Sequence, residues 1–189
     1  TMLVWLPDQK ILISGDNYYK SFPNIYPIRG NAYRDVALWV DSLNKMLSIG
    51  AEVLLPGHSR PLFGNDQIQT VLTDYRDGIA HVLNATLEGM NQGLTMDELV
   101  QTVKLPDHLA DKPYLQEFYG CIPWSVRAIF TGYLGWFDGN PTNMFRLSPQ
   151  EEAQQMVALA GGVDELLDKT ETAVSSGNYQ WALQLADHL

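Results

Sequence analysis

The sequence predicts an α+β fold in which every strand precedes residue 66 and the rest of the chain is helical. Three observations predict this division. Short apolar, β-leaning segments end by residue 55, a long amphipathic helical pattern starts at residue 66, and a later segment opens with the capping-box pair Thr95 and Glu98. We therefore predict an α/β part at residues 1–65 and an all-helical part at residues 66–189.

The first residues predict a β-hairpin. Residues 1–6 (TMLVWL) and 10–15 (KILISG) are apolar and β-leaning, and the Pro7-Asp8-Gln9 sequence between them is typical of a turn. A segment rich in Tyr, Asn and Pro follows at residues 17–30 and is expected to be a loop.

A helix and a third strand complete the predicted α/β part. Asn31 is the expected N-cap of a helix with one apolar face, and Gly50 is expected to end it. Residues 52–55 form a buried strand that ends at Pro56. The helix therefore crosses over between two strands.

Helix signals continue to the end of the chain. The expected helices are 66–91 with Gly93 as the stop, 95–104, 123–136, one that starts at Ser148 with Pro149 and Glu151 in its first turn, 163–175 and 179–189. The last two are joined by three turn-forming residues, so we expect them to fold back as an antiparallel hairpin.

Composition excludes two classes of partner. The net charge of −10 argues against nucleic acid, because a phosphate backbone requires a basic surface. No apolar run approaches the roughly 20 residues that span a bilayer.

The single Cys121 excludes an internal disulfide and leaves the compartment open. The chain opens in a strand and ends in an uncapped helical pattern, so we expect it to be part of a longer protein.

Two predicted strands end in a potential metal ligand. Asp16 follows the strand that closes with Ser14-Gly15, and His58 follows Pro56-Gly57 after the next strand. A carboxylate and an imidazole together suit zinc, and strand ends hold ligands rigidly. Each residue alone also fits an ordinary role, Asp16 as a turn or cap residue and His58 as a half-exposed loop histidine.

The order strand-Gly-Asp, crossover helix, strand-Pro-Gly-His resembles the metallo-β-lactamase superfamily. Longer strings resemble its zinc-dependent alkylsulfatases of the SDS-hydrolysing type over nearly the whole chain. They include GDNYYKSFPNIYPIRGNAYRD at residues 15–35, FYG at 118–120 and YLGWFDGNPTN at 133–143. By this resemblance, residues 1–65 are the C-terminal portion of a metallo-β-lactamase-like αββα domain, and residues 66–189 are an α-helical dimerisation domain.

The resemblance also implies roles for individual residues. His58 is a ligand to one zinc, and Asp16 stands where the family usually has a Glu that bridges two zinc ions. Arg29 matches the arginine that holds the sulfate group, for which its planar guanidinium is suited. Its alternative role is a surface ion pair with Asp35. Tyr119 and Tyr133 are the remaining candidates for sulfate contact, with core packing as their alternative.

The implied activity is hydrolysis of alkyl sulfate esters with two zinc ions per active site, bridged by Asp16 and by a water that the zinc ions activate. A homodimer through the helical domain is implied as well. The family's HxHxDH cluster lies upstream of the hairpin and is not in this sequence, so the remainder of the catalytic domain is an expected partner and the 189-residue chain alone is expected to be inactive.

Two departures from the family pattern bear on the helical part. The sequence IPWSVRAIF at residues 122–130 stands where the family typically has Ser-His-Asn. The other three histidines, His81, His108 and His188, have no partner spacing and are expected to be structural. A second function class therefore stays open, a non-catalytic helical dimerisation or interaction module with a vestigial α/β appendage.

Overall fold

A computed structural model of the chain describes residues 2–189, so the first residue of the predicted hairpin lies outside the described part. The chain forms two compact units, the second of which is Asn140–Leu189. The first unit contains strands β1 (Val4–Leu6), β2 (Ile11–Gly15), β3 (Val53–Pro56) and β4 (Leu62–Phe63), and helices α1 (Val36–Ile49), α2 (Asn65–Asn91), α3 (Met96–Thr102), α4 (Asp107–Ala110) and α5 (Ile122–Leu134). The predicted α+β class is confirmed.

The four strands form one mixed sheet in the order β1-β2-β3-β4. β1 and β2 are the predicted antiparallel hairpin, with Trp5 opposite Leu12. β2 and β3 are parallel, with Leu12 opposite Leu54, and α1 is the crossover between them. The carboxyl ends of β2 and β3 therefore lie at the same edge of the sheet.

The prediction of Asn31 as the N-cap of α1 is wrong. The helix begins four residues later, at Val36, and its cap is Asp35, whose Oδ1 accepts a hydrogen bond from the Leu38 N–H at 3.1 Å. Asn31 instead donates from its amide to the Ala32 carbonyl, within the loop. The C-terminal signal is correct, since Gly50 has the left-handed conformation with φ of 69°.

Two short elements escaped prediction. β4 has two residues and pairs with β3, with Leu62 opposite Leu54. α4 is a single turn of four residues opened by Pro106. Neither is long enough to show a hydrophobic period in the sequence.

One apolar core joins the sheet to the helices of the first unit. Leu12 of β2, Leu43 of α1, Leu72 of α2 and Ile129 of α5 all belong to it and are fully buried. α2 packs against α1 and α5, and α5 packs against α3. The other face of β2 is open, since Ile13 is 37% exposed.

Helix boundaries set by local capping match the prediction. Thr95 and Glu98 form the predicted capping box at the start of α3, although that helix ends at Thr102 rather than near residue 104. α2 begins one residue before its predicted start and ends where predicted. α5 begins at Ile122 and is two residues shorter at its end than predicted.

The second unit opens with a short 3₁₀ turn at Pro141–Asn143 and continues with helices α6 (Pro149–Ala160), α7 (Val163–Ser175) and α8 (Tyr179–Ala186). α6 starts at the predicted cap Ser148, which forms a capping box with Glu151. α7 and α8 pack against each other across the predicted turn, in which Asn178 caps α8.

The assignment of residues 1–65 and 66–189 to two domains of a longer protein stays a prediction. Within residues 2–189, no helix combines the length and the apolar composition that crossing a membrane requires.

Candidate functional site

Asp16 and His58 meet at the edge of the sheet where β2 and β3 end. Asp16 directly follows β2, and His58 lies two residues after β3. The two side chains are in direct contact, with the imidazole Nδ1 2.7 Å from the Asp16 Oδ1. Since a carboxylate only accepts hydrogen bonds, Nδ1 is the donor. Both side chains are solvent-exposed, Asp16 by 53% and His58 by 81%.

The backbone around Asp16 is held on both sides. The Gly57 N–H donates to the Gly15 carbonyl at 2.8 Å, which joins the two strand ends. The buried Asn17 donates from its amide to the Ser14 carbonyl at 3.0 Å, and the indole N–H of Trp39 in α1 donates to the Asn17 carbonyl at 3.0 Å. Asp16 is therefore fixed by the sheet and by the first turn of α1.

Gly57 allows this approach because it has no side chain. A Cβ at this position would lie 2.7 Å from the Asp16 Oδ1 and 3.3 Å from the Gly15 carbonyl carbon. The contact between Asp16 and His58 therefore depends on a glycine that immediately precedes the histidine.

Asp16 also borders a cavity of about 440 Å³. Its walls come from the 16–35 segment, the start of α1 and the segment before α5, and are formed by Asp16, Asn17, Tyr19, Arg29, Arg34, Asp35, Leu38, Trp39, Ser42 and Tyr119. The structure thus brings Asp16, Arg29 and Tyr119 to one cavity, and places His58 in contact with Asp16 at its margin.

Arg29 and Tyr119 both line this cavity. The Arg29 guanidinium, followed by the Asn24 side chain, lowers the pKa of the Tyr119 hydroxyl, and the nearby charge of Arg34 acts in the same direction. The Arg29 guanidinium and the Tyr119 hydroxyl can both donate hydrogen bonds to anionic oxygens. The arrangement is chemically suited to an anion with several oxygen atoms.

Arg29 does not form the ion pair with Asp35 that was its alternative role. No ion pair within residues 2–189 contains Arg29, and the Asp35 carboxylate caps α1. Arg29 is therefore free to face the cavity.

Tyr133 lies elsewhere in the first unit. Its ring contacts Tyr33 edge-to-face, with centroids 6.2 Å apart, and it does not line the cavity of Asp16 and Arg29. Its predicted contact with substrate stays a prediction. Of the other histidines, His81 contacts the Lys104 carbonyl through Nε2 at 2.9 Å, which agrees with a structural role.

Asp16 and His58 carry two of the types of ligand atom that zinc binds in proteins. Zinc takes carboxylate oxygen and imidazole nitrogen, and structural or catalytic sites use at least three protein ligands. Asp16 and His58 provide one of each, but residues 2–189 contain no group of three or more His, Cys, Asp or Glu side chains that could hold a metal ion. Asp16 and His58 are therefore suitable ligand types for zinc, but two ligands are fewer than a zinc site uses.

Sequence reasoning missed other residues of the cavity wall. Tyr19, Arg34 and Trp39 line the cavity although they are spread over 21 positions of loop and helix. The abundance of Tyr and Asn in residues 17–30 was visible in the sequence, but loops have no period that tells which side chains converge.

Comparison with known proteins agrees with the architecture. The family model described as alkyl sulfatase dimerisation matches residues 95–189, half of the chain. The chain belongs to this alkylsulfatase family. The match begins at the cap of α3 and includes the whole second unit.

The relatives of the family that match this chain are larger. A linear primary-alkylsulfatase of a Pseudomonas strain is 42% identical over 189 residues, which cover 99% of this chain and 36% of the relative. An (R)-specific secondary-alkylsulfatase from Pseudomonas is 36% identical, with 100% and 29% covered. An alkyl/aryl-sulfatase of Saccharomyces cerevisiae is 28% identical, with 100% and 30% covered.

The solved structure of a stereoselective inverting sec-alkylsulfatase from Pseudomonas superposes with a TM-score of 0.95 at 36% identity, over 98% of this chain and 30% of that one. The chain thus spans about a third of the length of the relatives it matches.

Proposed function

We propose that this chain is part of a binuclear zinc hydrolase that cleaves alkyl sulfate esters. The observation that supports it best is that Asp16, which contacts His58, lines one cavity with Arg29 and Tyr119, because potential metal ligands then lie beside side chains suited to an anion. The relatives are named as alkylsulfatases, and their resemblance extends over the full length of this chain.

In this proposal Arg29 and Tyr119 hold the sulfate group. The guanidinium would neutralise the ester's negative charge and donate to its oxygens, and it would stabilise the negative charge that grows in the transition state as the ester bond breaks. The Tyr119 hydroxyl, oriented by Arg29, donates to another sulfate oxygen. Arg29 therefore both recognises the substrate and assists the reaction.

Asp16 and His58 are the residues of this chain that would hold zinc. When bound, zinc would lower the pKa of a water toward neutrality and so supply the nucleophile for hydrolysis. Asp16 has a shorter side chain than the Glu usual in the family, and Gly57, which has no Cβ, leaves room for its carboxylate beside His58.

The remaining ligands belong, in this proposal, to the rest of the catalytic domain. A sheet containing parallel strands is usually covered on both faces. Here one face of the sheet is left open, and Ile13 and Phe63 are 37% and 64% exposed. This apolar face is suited to contact with a further part of the same domain.

We further propose self-association through the second unit. The family is described as a dimerisation family. The second unit exposes large apolar side chains, including Leu159 at 82%, Tyr179 at 67% and Leu183 at 66%. Burial of such side chains between two copies would be favourable.

The decisive experiment uses the full-length protein. Zinc content, anomalous scattering at the zinc edge and turnover of a linear alkyl sulfate are measured for the wild type, Asp16→Ala and His58→Ala. We expect two zinc ions per chain in the wild type, with metal near Asp16 and His58, and loss of metal and turnover in both variants. The 189-residue chain alone is expected to bind zinc weakly and to be inactive.

The match of residues 95–189 to the alkyl sulfatase dimerisation model also supports one competing function, a non-catalytic helical module. In that case the full-length protein would dimerise while Asp16→Ala and His58→Ala changed neither its metal content nor any activity. Normal turnover in both variants would refute the proposed roles of these residues.

A further inference from the structure

Tyr119 reaches Arg29 because its segment pairs with the loop that follows β2. The Phe22 N–H donates to the Gln116 carbonyl at 2.8 Å, and the Gly120 N–H donates back to the Phe22 carbonyl at 3.3 Å. The Ser21 hydroxyl adds a bond to the Gln116 carbonyl at 3.1 Å. Two chain segments almost 100 residues apart in sequence are thus fastened side by side, with Tyr119 between the pairing positions.

Gly120 is the point of closest approach. A Cβ built on it would lie 2.1 Å from the Pro23 carbonyl oxygen and 2.7 Å from the Asn24 nitrogen. Both atoms belong to the backbone, so neither can move aside by a side-chain rotation. Any larger residue would push residues 116–120 away from the loop and carry Tyr119 with them.

Asn24 is held from the other side by Arg34. The Arg34 Nη1 donates to the Asn24 carbonyl at 3.0 Å, and the Asn24 N–H donates to the Tyr19 hydroxyl at 2.5 Å. Asn24 is only 5% exposed, and its side chain lowers the pKa of the Tyr119 hydroxyl. The Asn24 peptide is therefore fixed between Arg34, Tyr19 and the Gly120 segment.

We propose that Gly120 and Arg34 are positioning residues that act from opposite sides of Asn24 to hold Tyr119 against Arg29. This inference rests on the proposed function, because it assigns Arg29 and Tyr119 to the sulfate. Neither Gly120 nor Arg34 needs to touch the substrate for this role. The lowered pKa of Tyr119, caused first by Arg29, then by Asn24 and last by the charge of Arg34, agrees with the same arrangement.

The first test is a double-mutant cycle in the full-length protein. Gly120→Ala is expected to lower kcat/KM for an alkyl sulfate about tenfold or more, since a displacement of about 1 Å at a reacting group has costs of that order. In the Tyr119→Phe background, the same Gly120→Ala substitution is expected to change kcat/KM by less than about twofold. An equal loss in both backgrounds would overturn the proposal, because it would mean a general defect rather than displacement of Tyr119.

The second test uses Arg34 and does not require turnover. Ultraviolet titration of the full-length protein, with the Tyr119→Phe curve subtracted, isolates the ionisation of Tyr119. Arg34→Gln is expected to move that ionisation to higher pH, and Arg34→Lys to move it less because the charge is kept. Arg76→Gln is the matched control, since Arg76 is held by Asp77 and Asn44 outside the cavity, and it is expected to leave the curve unchanged.

An unchanged Tyr119 titration in Arg34→Gln, or an equal shift in Arg76→Gln, would overturn the role of Arg34. Absence of wild-type turnover would instead refute the proposed function, while the titration would still decide the positioning. The Arg34 variants also keep the inference testable if Gly120→Ala does not fold.

Discussion

Substitution of Asp35 by Ala is expected to destabilise the first unit through the start of α1. Its carboxylate accepts from the Leu38 N–H at 3.1 Å, and α1 has no acidic residue in its first turn to share this role. Loss of an N-cap costs about 1 kcal/mol. Loss of the negative charge near the helix N-terminus adds about 0.3 kcal/mol for an exposed group. The sum is about 1.3 kcal/mol.

Two matched variants separate these contributions. Asp35→Asn keeps a capping oxygen and loses only the charge, so it is expected to cost no more than about 0.5 kcal/mol. Asn31→Ala removes the residue that the sequence pattern favoured as the cap, and it is expected to be neutral within about 0.5 kcal/mol. The structure thus predicts a loss of stability for Asp35→Ala and no measurable loss for Asn31→Ala.

Urea unfolding of the 189-residue chain measures these differences. A loss of about 1.3 kcal/mol corresponds to a fall in Tm of roughly 3–5 °C for a unit of this size. Asp35→Asn as costly as Asp35→Ala would contradict the capping role and favour an ion pair with Arg29. In that case Arg29→Gln and Asp35→Ala would also fail to add, whereas the structure predicts additivity within about 0.5 kcal/mol.

Three further predictions test the site and the core. Gly57→Ala displaces the Asp16 carboxylate, so the zinc affinity of the full-length protein is expected to fall about tenfold in a chelator competition, and an unchanged affinity would contradict the close approach. Leu72→Ala, in the fully buried face of α2, is expected to cost about 3 kcal/mol in urea unfolding, and a cost below about 1 kcal/mol would show that the core collapses around the cavity. Tyr119→Phe is expected to abolish the tyrosine ionisation that occurs first as pH rises. The reason is that Arg29 lowers the pKa of Tyr119, whereas burial raises the pKa of Tyr19 to about 12. If the first ionisation kept its full amplitude in Tyr119→Phe, it would belong to another tyrosine.

The caps show why part of this fold could be predicted from sequence. Thr95 with Glu98 and Ser148 with Glu151 each satisfy their own helix terminus through bonds between residues three apart, so the pattern contains the whole interaction. The hairpin of β1 and β2 and the crossover to β3 follow in the same way from turn chemistry and hydrophobic period. Asp16 and His58 could be paired because parallel strands bring their carboxyl ends together.

The misses have the opposite cause. α1 is capped by Asp35 rather than Asn31. The loop before it is held by hydrogen bonds between residues that are not near neighbours in the chain, among them the bond from Arg34 to the Asn24 carbonyl. β4 exists because β3 offers it a partner. In both cases the deciding contact joins residues that no local pattern links.

The sequence by itself determined the class of the fold, the caps of α3 and α6 and the two strand ends that present Asp16 and His58, because these depend on near neighbours in the chain. Only the tertiary structure decided that Tyr119 meets Arg29, that Gly120 must lack a side chain and that Arg34 holds Asn24. Those contacts arise where residues 21–24 pair with residues 116–120. Their geometry depends on how the core packs the sheet against the helices, a property of the whole unit that no short segment of sequence contains.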